Sequence, residues 1–342
     1  MPDLVVNRHA IPDWYSCKSV VFVYPYKLRD REYLIPFYDK LLLFIPDDVG
    51  ITLVVKDSGF SQEYLKTCRE KGISNKIEFI EIPSISDIWI RDFAPITITE
   101  IGIMTALQFE YDPTYVDKKY KKYLQQDHLS GEQIWKSLKG YGVSSMYFKW
   151  DLGNLTHNGT GTAIITNRLI TDNQSVNIEH ELKPVLHVFA GFKNIIFIPV
   201  EDGDTTGHVD GMARFIDEKV LVVGAYSEGT PNSKFMNMLA ENLQKDLGEE
   251  FTIIRLMNGL PENQMSEGIA SAVGNHMNFL RLNNVILFPY YGDRVSAQPL
   301  QDFKFELIGN GVIIEVIAVD IPEIHALAQL GGVLNCIGWQ LY

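Results

Sequence analysis

The chain has 342 residues, 46% hydrophobic and 21% charged, ordinary proportions for a globular protein with a sizeable core. Thirty Lys and Arg stand against 43 Asp and Glu, a net charge of −13, which argues against a general nucleic-acid binder because such a protein needs a basic face for phosphates. The three cysteines, Cys17, Cys68 and Cys336, are odd in number, far apart and free of any CxxC, so neither a disulfide framework nor a cysteine zinc site is expected.

The opening stretch MPDLVVNRHAIPDW carries charges and prolines where a secretory signal would have its apolar core. Strands are expected at SVVFVYPY, ITLVVKD, KIEFIEIP, PITITEIGIMTALQF, MYFKWD, GTAIITNRLITDN, NIIFIPV, KVLVVG, FTIIRL, NVILFPYY and GVIIEVIAV. Helical periodicity separates them at 32–45, 61–72, 117–139, 178–189, 232–247 and 321–330, the last with Pro322 in its first turn and Gly331-Gly332 at its end. The densest apolar run, Leu41 to Ile45, is too short to span a bilayer. The KKYKK stretch near 118–122 suits the solvated face of a helix. These features predict an α/β or α+β chain without a dividing linker, soluble, reduced and cytoplasmic, with no membrane partner.

Polar residues end or interrupt apolar runs at Asp92, Asp151, His208, Asn278 and Cys336, at intervals of 57 to 70 residues. Such spacing suggests five similar modules around an axis, each sending a polar side chain inward.

In DIWIRDFAP, Trp89 and Arg91 are expected on one strand face, with Asp92 opposite or at the turn. A carboxylate beside an aromatic face suits a planar cation; a buried Arg91–Asp ion pair pinning a loop is the alternative. WDLGN places Asp151 and Asn154 at a strand-to-turn junction, where a second carboxylate could hold the same cation, and the following HNGTG reads as a hairpin turn. In GHVDG, His208 and Asp210 are two apart and expected on one face. They suit either a metal-ligand pair, with Asp204 as a third ligand, or an acid/base histidine beside a substrate carboxylate. His276 and Asn278 precede a strand and suit either a pocket wall or a loop hydrogen bond. Cys336 in GGVLNC is either a packed thiol or a nucleophile, and Cys17 and Cys68 read as packing.

The ordered set D-x-W-x-R-D-x-x-P (87–95), D-x-G-N (151–154), D-x-x-G-H-x-D (204–210) and G-G-x-x-x-C-x-x-x-Q (331–340) resembles the agmatine deiminase and bacterial peptidylarginine deiminase family of guanidine-modifying enzymes. IPDWYSCKSVVFVYPY resembles that family's opening strand, so the likeness runs over nearly the whole chain. It implies a five-bladed α/β propeller, the pentein fold, formed by one catalytic domain over residues 1–342 from pseudo-fivefold ββαβ modules. It implies Cys336 as nucleophile, His208 as general acid/base, and Asp92 and Asp210 as carboxylates gripping the guanidinium. Trp89 would form the aromatic wall, with Asp151, Asn154, Arg91 and Asp204 around the substrate and Gly331-Gly332 allowing close approach to the thiol.

The expected reaction converts a small cationic guanidino compound to a ureido compound and ammonia, N-carbamoylputrescine if the compound is agmatine, through a cysteine thiouronium. It calls for no cofactor and no metal, and leaves homo-oligomer formation open. Peptidyl- or free-arginine deimination, amidino transfer and a silent binding protein are the other readings. Where the family carries His before the nucleophile and Thr two after it, this chain has Asn335 and Gly338, and Leu152 replaces a glycine. Family members acting on peptidylarginine place arginines after the first motif, whereas FEYDPTYVD is acidic, which favours a substrate with a cationic or neutral tail.

Overall fold

The computed structural model describes residues 8–342 apart from 125, 140, 141 and 261, and leaves the side chains of 122 and 123 undescribed. The stretch read for a secretory signal therefore lies partly outside the described residues, as does one lysine side chain of the KKYKK stretch.

The chain is mixed α/β, and the strands among the described residues fall into five sheets of three or four strands plus a two-stranded hairpin. Three sheets share one plan: a short leading strand pairs antiparallel with a central strand, and a third strand pairs parallel with the centre after a helix. They are Thr156–His157, Thr162–Thr166 and Asn194–Ile198; Ala213–Asp217, Val220–Ala225 and Thr252–Met257; and Leu280–Leu282, Val285–Pro289 and Glu315–Val319. A fourth, Ile96–Glu100, Ile103–Glu110 and Val143–Lys149, adds the N-terminal strand Arg8–Ala10 at its edge. In the fifth, Ser19–Val23 and Gly50–Val55 are followed by Ile77–Glu81, and the leading strand is Trp339–Leu341 from the far end of the chain.

The crossovers need helices because parallel neighbours cannot be joined by a tight turn. Pro231–Leu247 shows how the sequence writes one. Thr230 caps it by accepting from the Ser233 N–H at 3.1 Å, Pro231 supplies a preset first turn, and Met236, Leu239, Ala240, Leu243 and Leu247 form one buried stripe. That stripe packs on Leu221 and Val223 of its sheet.

Several expectations are corrected. PITITEIGIMTALQF is two strands broken at Ile101-Gly102, both with positive φ (51° and 77°), as a tight hairpin turn demands. The 117–139 run is two helices, Lys118–Leu124 and Asp127–Lys139. Asp293–Gly309 is a 17-residue helix that the periodicity did not show, because Pro299 interrupts the pattern from inside it. Among the described residues no helix is long and apolar enough to cross a membrane.

Candidate active site

Each leading strand is preceded by a tight turn, and the turns carry the polar residues whose spacing is regular in the sequence. Asp92 sits in a helical turn, Ile90–Phe93, ahead of Ile96–Glu100; Asp151 precedes the 3₁₀ turn Leu152–Asn154, which ends on Asn154; His208 precedes a second 3₁₀ turn, Val209–Gly211, which contains Asp210. Asn278 and Cys336 lie in turns just before the leading strands of the remaining two sheets. Four of these side chains, Asp92, His208, Asn278 and Cys336, line one cavity of about 580 Å³, together with Trp89, Asp204 and Asp210.

His208 sits between two carboxylates: Nδ1 is 3.6 Å from Asp92 Oδ1 and Nε2 is 3.5 Å from Asp151 Oδ2. Burial disfavours the imidazolium, but Asp92, Asp151 and Asp210 outweigh it and push the pKa up to about 10. Burial, with the charges of Asp151 and Asp210, raises Asp92 to about 7 even though His208 and a 3.1 Å hydrogen bond from the Gly153 N–H oppose the shift. The Cys336 thiol is buried, and desolvation together with Asp210 and Asp92 holds its pKa well above that of an ordinary thiol.

Asn278 organises the nucleophile loop. Its amide donates to Asp210 Oδ2 at 3.1 Å and to Cys336 Sγ at 3.2 Å, while its carbonyl accepts from the N–H groups of Val333, Asn335 and Cys336. The two alternatives for Asn278, pocket wall and loop hydrogen bond, both hold. Asn335, where the resembled family carries His, donates to Asp210 Oδ2 at 2.7 Å, and Cys336 Sγ lies 3.8 Å from the same oxygen.

Two glycines permit this packing. A Cβ on Gly153 would stand 2.5 Å from His208 Nδ1 and 2.6 Å from Asp92 Oδ1; one on Gly332 would meet Trp89 at 2.5 Å and Cys336 Sγ at 3.0 Å.

Arg91, Asn154 and Asp151 are not among the cavity-lining residues, although the likeness implies substrate contacts for all three; Asp151 is engaged by Tyr115 and His208. IWIRD is a helical turn and not a strand, so residues two apart diverge: Trp89 faces the cavity, while Arg91 pairs with Asp13 at 3.0 Å and donates to Gln340 at 2.5 Å. The Arg91–Asp ion pair raised as the alternative is thus present, with Asp13 as its carboxylate. Asn154 is buried and accepts from the Thr166 N–H at 2.9 Å. Asp204 lines the cavity but turns its carboxylate to the backbone and hydroxyl of Thr206. Among the described residues no three His, Cys, Asp or Glu are grouped as a metal set. His276 is fully buried, with Nδ1 2.6 Å from the Met257 carbonyl and Nε2 3.0 Å from Ser296 Oγ, away from the cavity.

Tyr115 gave no signal in the sequence. It lines the cavity, its hydroxyl donates to Asp151 Oδ2 at 2.7 Å, and its ring stands edge-on to His208 with centroids 5.7 Å apart. Eight carboxylate residues line the cavity, from Asp92 and Asp210 near the thiol to Glu201, Asp202 and Glu262, and among the described lining residues there is no Lys or Arg. Such a field favours cations and opposes a ligand carboxylate.

A buried thiol, an imidazole held between carboxylates and an acidic cavity with an aromatic wall make up a candidate enzyme active site. The profile of the Porphyromonas-type peptidyl-arginine deiminase family matches residues 9–341, and the chain belongs to that family. A Streptococcus mutans protein bearing the agmatine deiminase name is 25% identical over 295 residues, 75% of this chain and 76% of its own. A Marinomonas protein with the same name is 23% identical over 74% of this chain and 73% of its own. The fold is that of C. jejuni agmatine deiminase solved with substrate bound (TM-score 0.79, 21% identity, 98% of this chain and 96% of that one). Agmatine deiminase of Enterococcus faecalis superposes similarly (TM-score 0.78, 17% identity, 98% and 96%).

Proposed function

We propose that the chain is a deiminase that hydrolyses a guanidino C–N bond, with agmatine as the preferred substrate. The observation that carries this reading is the meeting of Cys336, His208, Asp92 and Asp210 on one cavity whose described lining contains no Lys or Arg. A guanidinium is planar and permanently charged, so Asp92 and Asp210 would hold its N–H edges and leave the carbon open from one face. Trp89 would cover part of its surface. A substrate carboxylate would meet eight acidic residues and no Lys or Arg among the described lining, which favours the amine tail of agmatine over free arginine.

Burial, with the charges of Asp210 and Asp92, holds the free thiol protonated. A bound guanidinium neutralises them and brings positive charge to Sγ, lowering the thiol pKa so that its proton passes to solvent, where it is later taken up by the released ammonia. The thiolate adds to the guanidine carbon. His208 then gives its proton to the departing nitrogen, which leaves as ammonia, and a Cys336 thiouronium remains. The neutral imidazole next takes a proton from water as it attacks that carbon. Collapse expels the sulfur and frees the ureido product; the O–H proton of the collapsing intermediate returns Cys336 to the thiol, and His208 is left protonated for the next cycle. Asp151, held by Tyr115, keeps the imidazole oriented.

We further read the five sheets as blades of one propeller-like domain, closed where Trp339–Leu341 pairs with Ser19–Val23. Rapid acid quench during agmatine turnover tests the chemistry. Intact mass and peptide mapping should find an amidino adduct on Cys336, and steady turnover without an adduct at that residue would overturn the covalent route.

A further inference from the structure

The hairpin of Met265–Ser266 and Ile269–Ala270 lines the cavity and turns through Glu267 and Gly268, with φ of 56° and 92°. Two successive positive φ values favour Asn-Gly, and a glutamate at the first position is a strained choice. Its carboxylate supplies the reason. Arg31 Nη1 donates to Glu267 Oε1 at 3.1 Å and Nη2 to Oε2 at 2.8 Å. The same guanidinium clasps Asp87, Nε to Oδ1 at 2.9 Å and Nη2 to Oδ2 at 3.0 Å. The side chains of Arg31 and Asp87 are only 5% and 8% exposed, so this is a desolvated, paired cluster and not a loose surface contact.

The two carboxylates belong to different walls of the site. Asp87 also accepts from the Ile88 N–H at 2.8 Å and so fixes the start of the turn that presents Trp89 and Asp92. The Glu267 carbonyl accepts from the Asp117 N–H at 3.1 Å, and a Cβ on Gly268 would come within 3.1 Å of Asp117, so the hairpin seats directly on the loop that carries Tyr115. From Tyr115 the contacts run to Asp151 and His208.

We propose that Arg31, which does not itself line the cavity, is a positioning residue for the reaction. It locks the Trp89 wall to the hairpin and, through the hairpin, sets the Tyr115–Asp151–His208 line relative to Cys336. This rests on the deiminase reading, but its test does not depend wholly on it.

Glu267→Asn removes the carboxylate while giving the turn a residue better suited to positive φ, which offsets the lost ion pair; a purely structural role would show at most as a lower midpoint, with catalysis by the folded protein untouched. The clamp requires instead that the thermal midpoint be kept while kcat falls roughly ten- to hundredfold, with KM changed much less because Asp92 and Asp210 still hold the guanidinium. Arg31→Lys, which keeps the charge but cannot clasp two carboxylates, should lose kcat similarly, and the double variant should be no worse than the poorer single one. Wild-type kcat in a well-folded Glu267→Asn, or losses that only track a falling midpoint, would overturn the proposal. If the wild type turns over no guanidine, the deiminase reading falls, and the iodoacetamide alkylation rate of Cys336, read by peptide mass spectrometry, decides for the clamp. A several-fold rise in Glu267→Asn supports it, and an unchanged rate overturns it.

Discussion

At position 153 the space for one methyl group is already occupied by His208 and Asp92. Gly153→Ala must push one of them away, and a misplacement on that scale costs about a hundredfold in kcat/KM. Steady-state kinetics on a variant with native circular dichroism should show that loss. Protonation gives a second prediction. Asp92 must be ionised to grip the guanidinium, so kcat/KM should rise with pH through about 7; His208 must carry its proton, so the rate should fall as pH passes about 10. Asp151 raises both pKa values, so Asp151→Asn should move both limbs of the profile to lower pH. Limbs that stay in place would show that Asp151 does not set this field. Cys336, His208 and Asp210 could be read as candidates because chemistry restricts their residue types. Arg31, Tyr115 and Glu267 could not, since their roles come from contacts between segments far apart in the chain.

Short turns, more than the strands, decide what reaches the cavity. The regular spacing of Asp92, Asp151, His208, Asn278 and Cys336 is legible in the sequence because one such turn precedes each leading strand. The direction of individual side chains was not. Reading IWIRD as a strand puts Trp89 and Arg91 together, whereas its helical turn sends Arg91 to Asp13 and Gln340. The helix Asp293–Gly309 was missed for a related reason, since local pattern cannot reveal that tertiary packing of Phe303 and Leu307 overrides Pro299. The strand Trp339–Leu341 begins three residues after the thiol, and Trp339 packs near Trp135 with ring centroids 6.2 Å apart. Trp339→Ala should cost about 3 kcal/mol in a denaturant titration, the usual toll of emptying a buried aromatic site. A change below about 1 kcal/mol would show that this pairing does not hold the chain's two ends together.

Across the molecule, a net charge of −13 and a cavity lined by carboxylates act in the same direction. Agmatine carries two positive charges, so salt should screen its capture, and KM should rise with ionic strength more steeply for agmatine than for free arginine. Equal salt dependence for the two would separate the acidic lining from substrate choice. Whether Cys336 is the nucleophile of a guanidine deiminase is decided by measuring ammonia and ureido product from agmatine, free arginine and a short arginine peptide, with wild type beside Cys336→Ala. Wild type should turn over agmatine best, and Cys336→Ala should form no product while remaining folded. Product formation by the alanine variant, or a wild type inert toward all three compounds, would contradict the account.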